Sequence, residues 1–330
     1  MIVLGIETSC DDTAVALCRN GTILSSRINT QSIHRQYGGV VPELASREHE
    51  LRLNYLVEAT LQDTNLSLSA IEGIAVTHGP GLAGALLTGA CFAKGLALGL
   101  GCPLVAINHL EAHIFANFLA EPELKFPFIC LLVSGGHTQL WHVEGLGRYT
   151  LLGTTRDDAA GEAFDKGARI MGLGYPGGPE IESLARTGDQ SAVDFPRSFM
   201  KQNNLEFSFS GLKTSLLYFM DTFKAGKNSL TGADVAASYQ QAILDILVFK
   251  LSEALRVTGT TVGVIAGGVA ANRELRKSVR KFLPETRIYF PAPEYCTDNG
   301  AMIAYLGELY LNQGNTSEPG FPIVPNLKLS

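Results

Sequence analysis

Short apolar runs alternate with compact polar or glycine-containing segments along the chain. Near the start, the pattern predicts a buried strand at Ile2–Ile6, a polar turn at Glu7–Asp12 and a second strand at Thr13–Cys18. The same order recurs later, where strands at Phe128–Val133 and Thr138–Val143 flank a turn at Ser134–His137.

A second unit of the pattern also occurs twice. A strand at Ile71–Thr77 leads through a glycine-rich turn into an apolar helix, and a strand at Val262–Ala266 does the same before a helix from about Asn272. Two units repeated in the same order indicate a duplication. Strand–turn–strand tips that carry acids or Ser, Gly and Thr suit metal and phosphate handling. The sequence therefore predicts an α/β protein with two duplicated domains around a nucleotide- and metal-binding cleft.

The domain boundary is predicted to lie near Ala106–Ile129, and residue 108 is taken as the end of the first domain. Amphipathic helices are expected at Glu43–Leu61 and Val235–Leu255, and the helix from about Asp298 is expected to return to the first domain. The proline-containing tail after it is typical of an extended strap. The first domain then comprises residues 1–108 and 298–330, and the second comprises residues 109–297 with inserted helices.

The composition is that of a globular enzyme in a reducing compartment. Hydrophobic residues make up 46% of the chain and charged residues 18%, and the six cysteines form no CxxC pair. The segment Gly81–Ile107 is apolar, but Lys94 and Pro103 interrupt it before it reaches the length of a membrane span. We expect a cytoplasmic protein that does not enter a membrane.

The net charge of −6 bears on any nucleic-acid substrate. A protein that binds nucleic acid unaided usually carries a basic surface, so this chain would need a local basic patch or a partner. The helix after Asn272 carries the best candidate patch, which is otherwise a solvated face. Its basic residues are Arg273, Arg276, Lys277, Arg280 and Lys281.

A pair of histidines is the clearest candidate for metal binding. His109 and His113 follow Asn108, a good N-cap, so they should lie on one face of a helix while Glu111 points elsewhere. This spacing suits two metal ligands, with a third from a distant part of the chain, although surface or capping histidines share it. A zinc protease requires Glu directly after the first His, so the pattern disfavours a protease.

Glycine-rich segments supply further candidates. Gly79–Gly84 matches GxGxxG, but no acid ends the next strand to bind a ribose, so a close packing turn is favoured over a dinucleotide site. Ser134–Thr138 suits a phosphate, or is a plain hairpin turn. Gly174–Pro179, before Glu182, would let a flat purine lie on the backbone, or is a plain loop. Several acids within Asp157–Asp165 are expected at the start of a helix, where the helix dipole alone favours negative charge.

Taken together, seven collinear segments resemble the bacterial TsaD family, formerly called the glycoprotease or sialoglycoprotein endopeptidase family. They are GIETSCDDT (5–13), GGVVPELASR (38–47), GPG (79–81), NHLEAH (108–113), SGGHT (134–138), FSFSGLKT (207–214) and CTDNGAMI (296–303). The resemblance runs from Met1 to about Leu311. Asp12 departs from it, since the family has Glu there, and Asp keeps the carboxylate with a shorter reach.

The resemblance implies the actin/Hsp70/sugar-kinase fold and a reaction. The threonylcarbamoyl group would pass from threonylcarbamoyl-AMP to the exocyclic amine of the adenosine next to the anticodon, in tRNAs that read ANN codons. It also implies TsaB as a heterodimer partner, TsaE as a second partner, and a TsaC-type synthase that supplies the donor. The helices around Glu43–Leu61 and Leu86–Leu100 are where a TsaB contact is expected, unless they pack only within their domain.

The resemblance further implies a site. One divalent metal, Fe(II) by family likeness with Zn(II) as the alternative, would be bound by His109, His113 and Asp298. The donor, or ATP, ADP or AMP in its place, would be held by Ser134, Gly135, Gly136, His137, Thr138, Asp165, Gly178, Glu182 and Asn272.

Chemical roles can be assigned to these groups by hypothesis. The metal would act as a Lewis acid on the donor's oxygens, and Asp11, with Asp12 second, would orient the amine or accept its proton. The amides of Gly135 and Gly136 could stabilise an oxyanion. The competing functions are a small-molecule kinase or ATPase on the same fold, a metalloprotease, and a nucleotide-dependent switch without catalysis.

Overall fold

The computed structural model describes residues 1–200, 202, 204–224 and 229–329. The chain divides into two compact units. The first consists of Met1–Leu124 and Pro291–Leu329, and the second of Lys125–Phe290.

The first unit is built on a five-stranded sheet. Its elements are β1 (Ile2–Glu7), β2 (Asp12–Arg19), β3 (Thr22–Thr30), α1 (Pro42–Thr64), β4 (Gly73–Gly79), α2 (Ala83–Leu100), β5 (Leu104–Asn108) and α3 (His109–Ala120). The strand order is β3-β2-β1-β4-β5, in which β1, β4 and β5 are parallel and β2 runs antiparallel to both of its neighbours. The central strand β1 is buried along its whole length, as expected of a strand covered on both faces.

The second unit repeats this plan with insertions. Its elements are β6 (Phe128–Val133), β7 (Thr138–Gly145), β8 (Arg148–Thr154), α4 (Ala160–Met171), α5 (Gly177–Ala185), α6 (Ser210–Lys224), α7 (Gly232–Thr258), β9 (Val262–Ala266), α8 (Arg273–Phe282) and β10 (Arg287–Tyr289). Its sheet has the order β8-β7-β6-β9-β10, with the same strand directions as the first. The predicted duplication is therefore confirmed.

The last helix, α9 (Gly300–Asn312), packs on the sheet of the first unit. Its backbone lies against β1 because Gly5 has no side chain, and a Cβ there would lie 2.3 Å from the amide nitrogen of Ala304. Asn299 caps the helix, since its side chain accepts a hydrogen bond from the Met302 amide at 2.9 Å.

Helix α3 lies in the first unit, whereas residues from 109 onwards were predicted to belong to the second domain. The reason is its packing. Its buried face contacts α9, and the hydroxyl of Tyr310 donates a hydrogen bond to Glu111 at 2.6 Å. Residues 291–297 also belong to the first unit rather than the second.

The tail after α9 runs in extended form along the ends of β4 and β5. The Val324 amide donates to the His78 carbonyl at 2.7 Å, and the Gly81 amide donates to the Pro325 carbonyl at 3.0 Å. A Cβ on Gly79 would lie 2.1 Å from the Val324 carbonyl oxygen. The GxGxxG segment is therefore a site of close backbone packing.

Among the described residues, α2 is the one helix long and apolar enough to cross a membrane by length and composition. Core helices of ordinary domains meet the same test, so one such helix is weak evidence for a span. Ala85, Leu86, Ala90 and Ala93 on this helix are buried within the first unit.

Strands β3 and β8, like the three-residue strand β10, were not predicted. Both β3 and β8 lie at an edge of their sheet, and most of their side chains are exposed or half-buried, so neither strand needs an apolar run. Both follow directly from the hairpins that the sequence did indicate.

Candidate functional site

The candidate metal site is assembled at the carboxyl ends of β1 and β5 and at the start of α9. Asn108 ends β5 and caps α3, because its side chain accepts hydrogen bonds from the amides of Leu110 and Glu111 at 2.9 and 3.4 Å. The helix begins at His109, and His113 follows one turn later on the same face. The shared face was predicted from the spacing of four residues. Both imidazoles are also buried.

Asp298 completes a cluster with these histidines. Its Oδ1 lies 3.1 Å from Nε2 of His113 and 3.5 Å from Nε2 of His109. One ligand atom from each residue can be chosen so that all three lie within 4.8 Å of one another. The structure thus brings together the three residues that the resemblance named, although 185 positions separate His113 from Asp298.

The donor set fits a divalent transition metal. Two imidazole nitrogens and one carboxylate oxygen suit Fe(II) or Zn(II), and three protein ligands leave coordination positions for a substrate. The orientation of His109 also fits a metal ligand. Its Nδ1 is hydrogen-bonded to Glu7, which leaves Nε2 to face Asp298.

Glu7 is part of this site and was not predicted from the sequence. Its Oε2 lies 2.9 Å from Nδ1 of His109 and accepts a hydrogen bond from the Thr77 hydroxyl at 2.6 Å. A charged residue at the end of a wholly apolar strand is the signal that could have identified it. Thr77 could be placed beside it only from the strand pairing.

Burial and the neighbouring charges shift the pKa values of Glu7 and His109 in opposite directions. Burial alone would lower the pKa of His109, but the negative charges of Glu7 and Asp298 raise it to about 9. Conversely, burial opposes the ionisation of Glu7, but the charge and hydrogen bond of His109 hold the pKa of Glu7 below its ordinary value. Burial lowers the pKa of His113, and the charge of His109 adds to that effect. The cluster therefore favours the charged forms of His109 and Glu7 and the neutral form of His113.

Asp11 and Asp12 lie in the turn between β1 and β2 of the same unit. Burial and the charge of Asp298 raise the pKa of Asp12 to about 7, while a hydrogen bond from the Thr30 hydroxyl at 2.5 Å opposes the rise. Burial, with a smaller contribution from the charge of Asp298, also raises the pKa of Asp11. The negative charge of Asp298, the third residue of the candidate metal cluster, therefore contributes to the raised pKa of both carboxylates.

The SGGHT segment forms the tight turn between β6 and β7 in the second unit. The Ser134 amide donates to the His137 carbonyl at 2.8 Å, and the Thr138 hydroxyl accepts a hydrogen bond from the Ala160 amide at 2.8 Å. Gly135 and Gly136 are exposed, with open space where a side chain would be. The turn is thus anchored at both ends, and its glycine backbone is accessible.

The helices that carry the other predicted nucleotide residues are linked to this turn by hydrogen bonds in which neighbouring residues take part. The Gly161 amide at the start of α4 donates to the Ser134 carbonyl at 3.2 Å. One turn later, Asp165 accepts a hydrogen bond from the Gly177 amide at 2.7 Å, next to Gly178 at the start of α5. This chain of contacts ties the SGGHT turn to α4 and α5.

Helix α5 is linked in turn to α8. Glu182 accepts a hydrogen bond from the Arg273 amide at 2.9 Å. The neighbouring Asn272 caps α8 by accepting from the Leu275 amide at 2.9 Å, and it donates to Gln240 at 2.9 Å. The predicted nucleotide-binding residues therefore form one contiguous network within the second unit.

Asp157 has a different role from the dipole effect expected of it. Its carboxylate accepts hydrogen bonds from the Ser208 hydroxyl at 2.5 Å and from the amide and hydroxyl of Ser210 at 3.2 and 2.8 Å. It therefore holds the FSFSGLKT segment at the start of α6 rather than only favouring the dipole of α4.

The basic residues of α8 are mostly solvent-exposed. Arg273, Lys277, Arg280 and Lys281 are exposed, whereas Arg276 is half-buried and lies over the Phe290 ring at 4.8 Å. The helix thus presents a basic face that begins beside Asn272.

The sequence matches the TsaD family, described as tRNA N6-adenosine threonylcarbamoyltransferase, over residues 22–305. An enzyme of that name from Thermosipho africanus is 48% identical over 332 residues, which cover 100% of both chains. One from Desulfitobacterium hafniense is 52% identical over 309 residues, covering 92% of this chain and 91% of its own.

Solved structures show the fold. Component A of (R)-2-hydroxyglutaryl-CoA dehydratase from Acidaminococcus fermentans matches with a TM-score of 0.58 at 14% identity, covering 94% of this chain and 99% of its own. HypF from T. kodakarensis matches with a TM-score of 0.58 at 17% identity, covering 96% of this chain and 48% of its own. With the repeated sheet topology, these matches confirm the predicted actin/Hsp70/sugar-kinase fold.

Proposed function

The chain belongs to the TsaD family of tRNA N6-adenosine threonylcarbamoyltransferases, and from this membership we propose its donor, its acceptor and its metal dependence. It is a transferase that modifies tRNA. The donor is threonylcarbamoyl-AMP, and the acceptor is the exocyclic amine of the adenosine next to the anticodon in tRNAs that read ANN codons. The amine nitrogen forms a bond to the carbamoyl carbon, the bond from that carbon to the phosphate oxygen breaks, and AMP leaves.

The proposal that transfer depends on a metal is supported by one observation. Ligand atoms of His109, His113 and Asp298 lie within 4.8 Å of one another. We propose that these residues hold one divalent metal, Fe(II) in the first instance, with Zn(II) as the alternative. When bound, the metal supplies Lewis-acid chemistry to the oxygens of the donor.

The chain's own residues would bind the donor and handle the proton. The exposed backbone of Gly135 and Gly136 suits the phosphate and the developing negative charge, and the network from Asp165 to Asn272 would hold the nucleotide. Asp11, with Asp12 second, would orient the acceptor amine and take the proton that it loses. An adenine amine is a weak nucleophile, so its placement against the donor should supply much of the rate. An Asp11→Asn variant that keeps the full transfer rate would remove Asp11 from this role.

We propose TsaB as the partner on the α1–α2 face, with TsaE as a second partner and a TsaC-type synthase as the source of the donor. Leu51 and Tyr55 of α1 and Leu87 of α2 are exposed, and a shallow cavity of about 350 Å³ lies between the two helices. Burial of such an apolar face is a common basis of subunit contacts. Leu87→Asp should abolish co-elution with TsaB, whereas Phe282→Asp, an equally exposed position on α8, should leave it intact.

We propose that the basic face of α8 contacts tRNA phosphates, and that the protein acts in the cytoplasm, where its tRNA substrate is found. Electrostatic contact with phosphates weakens steeply as salt rises. A Lys277→Glu/Lys281→Glu variant should bind tRNA more weakly at low salt than the wild type. A control change at the exposed Arg256 of α7 should have a smaller effect, and equal weakening by both would argue against a specific contact at α8.

The reaction is tested by transfer from preformed threonylcarbamoyl-AMP, labelled in its threonine, in the presence of TsaB and TsaE. The acceptors are a tRNA that reads an ANN codon and the same tRNA with guanosine in place of the target adenosine. We expect label in the first tRNA alone, with release of one AMP per group transferred. AMP release without labelled tRNA would contradict the proposal.

A further inference from the structure

Glu7 is a buried carboxylate to which the transfer reaction itself assigns no role. It is the last residue of β1, and its side chain is fully shielded from solvent. Burial of a carboxylate is costly unless its oxygens find hydrogen bonds or an opposite charge, so a residue of this kind has to be explained by its partners.

Both oxygens of Glu7 are engaged. Oε1 accepts a hydrogen bond from the Ser9 amide at 2.5 Å, and Oε2 accepts one from the Thr77 hydroxyl at 2.6 Å. Oε2 also lies 2.9 Å from Nδ1 of His109. The carboxylate is therefore held from two sides while it contacts one imidazole.

The strand register produces this arrangement. Ile6 of β1 pairs with Val76 of the parallel strand β4, so Glu7 and Thr77 lie at the same level at the carboxyl ends of the two strands. His109 opens the helix that follows the next strand, β5. Two parallel strands and a helix thus position the Glu7–His109 contact, with the Ser9 amide of the turn after β1 as a further support.

This contact, with a longer one of 3.3 Å between the Ser9 hydroxyl and the same Nδ1, leaves the other nitrogen of His109 to face the metal cluster. A carboxylate acceptor at Nδ1 favours the hydrogen on Nδ1, which leaves Nε2 as the ligand atom. Nε2 is indeed the nitrogen that lies 3.5 Å from Asp298. Nδ1 of His113, by contrast, is buried without a hydrogen-bond partner among the described residues. The two imidazoles are therefore oriented by different means.

We propose that Glu7, held by Ser9 and Thr77, is a positioning residue that orients His109 so that Nε2 is presented to a divalent cation. The inference rests on the metal site of the proposed function, but it concerns affinity for the metal rather than transfer. Removal of a hydrogen-bond partner of a ligating histidine typically weakens metal binding by roughly 10- to 100-fold.

The test is the affinity of the full chain for Zn(II), measured by competition with a chromophoric chelator at fixed pH. Glu7→Gln should weaken binding by roughly 10- to 100-fold. Thr77→Val, which removes the hydroxyl but keeps the shape, should weaken it by a smaller factor, and Thr77→Ser should restore it. The ligand-field spectrum of bound Co(II) should also change in Glu7→Gln, because the imidazole would be misaligned.

Glu308→Gln is the matched control. Glu308 is also a buried carboxylate of the first unit, but it accepts hydrogen bonds from the amides of Asn20 and Gly21 at 2.6 and 2.7 Å. Its substitution should leave Zn(II) affinity unchanged. Thermal unfolding of each metal-free variant establishes that it folds. If Glu7→Gln does not fold, the comparison of Thr77→Val with Thr77→Ser tests the positioning role instead.

The outcomes separate this inference from the proposed function. Wild-type affinity and an unchanged Co(II) spectrum in Glu7→Gln would overturn the positioning role while the metal site stands. Equal weakening by Glu308→Gln would also overturn it, because the effect would then reflect any buried carboxylate. If the wild type binds Zn(II) no better than a His109→Ala/His113→Ala variant, the metal site of the proposed function fails and this inference fails with it.

Discussion

At the scale of single residues, the pKa of Asp12 depends on the charge of the candidate metal site. Burial and the nearby charge of Asp298 raise its pKa from the ordinary 3.8 to about 7. The folded state therefore binds a proton at Asp12 more tightly than the unfolded state does. Between these two pKa values the contribution of Asp12 to stability falls as the pH rises, and the full penalty is present above about pH 7.

Asp12→Asn should accordingly stabilise the metal-free protein at pH 8 and have little effect at pH 4. A tenfold change in proton affinity corresponds to about 1.4 kcal/mol, and we expect a gain of at least that order at pH 8. The measurement is thermal unfolding of wild type and variant at both pH values. Added Zn(II) should reduce the difference, because a bound cation offsets the negative field.

Asp63→Asn provides a control of opposite sign. Asp63 is paired with Arg27 at 2.5 Å, and hydrogen bonds from Arg27 and Ser25 lower its pKa to about 2. Its substitution should not stabilise the protein at pH 8. A less stable Asp12→Asn variant at pH 8 would show that the hydrogen bond with Thr30 outweighs the field of the site.

The sequence could predict some of these residues and not others for a physical reason. His109 and His113 are one helical turn apart, so local spacing placed them on one face. Asp298 was available only through the family resemblance, because no local rule joins positions so distant. Glu7 and Thr77 meet through the register of two parallel strands, which the apolar pattern does not specify.

At the scale of elements, the C-terminal tail supports the strand ends that carry the site. The Ser317 amide donates to the Leu104 carbonyl of β5 at 2.7 Å, and the side chain of Asn108, directly before His109, donates to the Lys328 carbonyl at 3.1 Å. The proline-containing tail was predicted as an extended strap. Its contacts indicate that it steadies the start of α3.

Gly79→Ala tests this support. The new Cβ would lie 2.1 Å from the Val324 carbonyl oxygen, so the tail has to move away from β4. We expect a lower midpoint of thermal unfolding and weaker Zn(II) binding. Gly99→Ala, in α2 with open space at its Cβ, should instead be neutral or stabilise the protein by up to about 1 kcal/mol. Equal behaviour of the two variants would contradict a supporting role for the tail.

The prediction of elements succeeded where burial dictated the pattern. The hairpins at Glu7–Asp12 and Ser134–His137 follow wholly apolar strands and were recognised, whereas the half-exposed edge strands β3 and β8 were not. The assignment of α3 was wrong because its partner, α9, lies nearly two hundred positions later in the chain. Sequence periodicity shows that a helix has an apolar face but not which element covers it.

At the scale of the whole molecule, the chain carries two copies of one plan with different chemistry at the equivalent turns. The turn after β1 holds carboxylates beside a histidine pair, and the turn after β6 holds glycines and hydroxyls. The first suits a cation and the second an anionic donor. Duplication followed by divergence of the two turns therefore accounts for a candidate metal site in one unit and the predicted nucleotide-binding residues in the other.

We propose that transfer to tRNA depends on a metal held by His109, His113 and Asp298. The most direct measurement is transfer from labelled threonylcarbamoyl-AMP, with TsaB and TsaE, by protein of known metal content before chelation, after chelation and after addition of Fe(II) or Zn(II). We expect the wild type to lose transfer on chelation and to regain it with metal. A folded His109→Ala/His113→Ala variant should bind no metal and stay inactive throughout. Full transfer by the metal-free wild type, or by the double variant, would contradict the account.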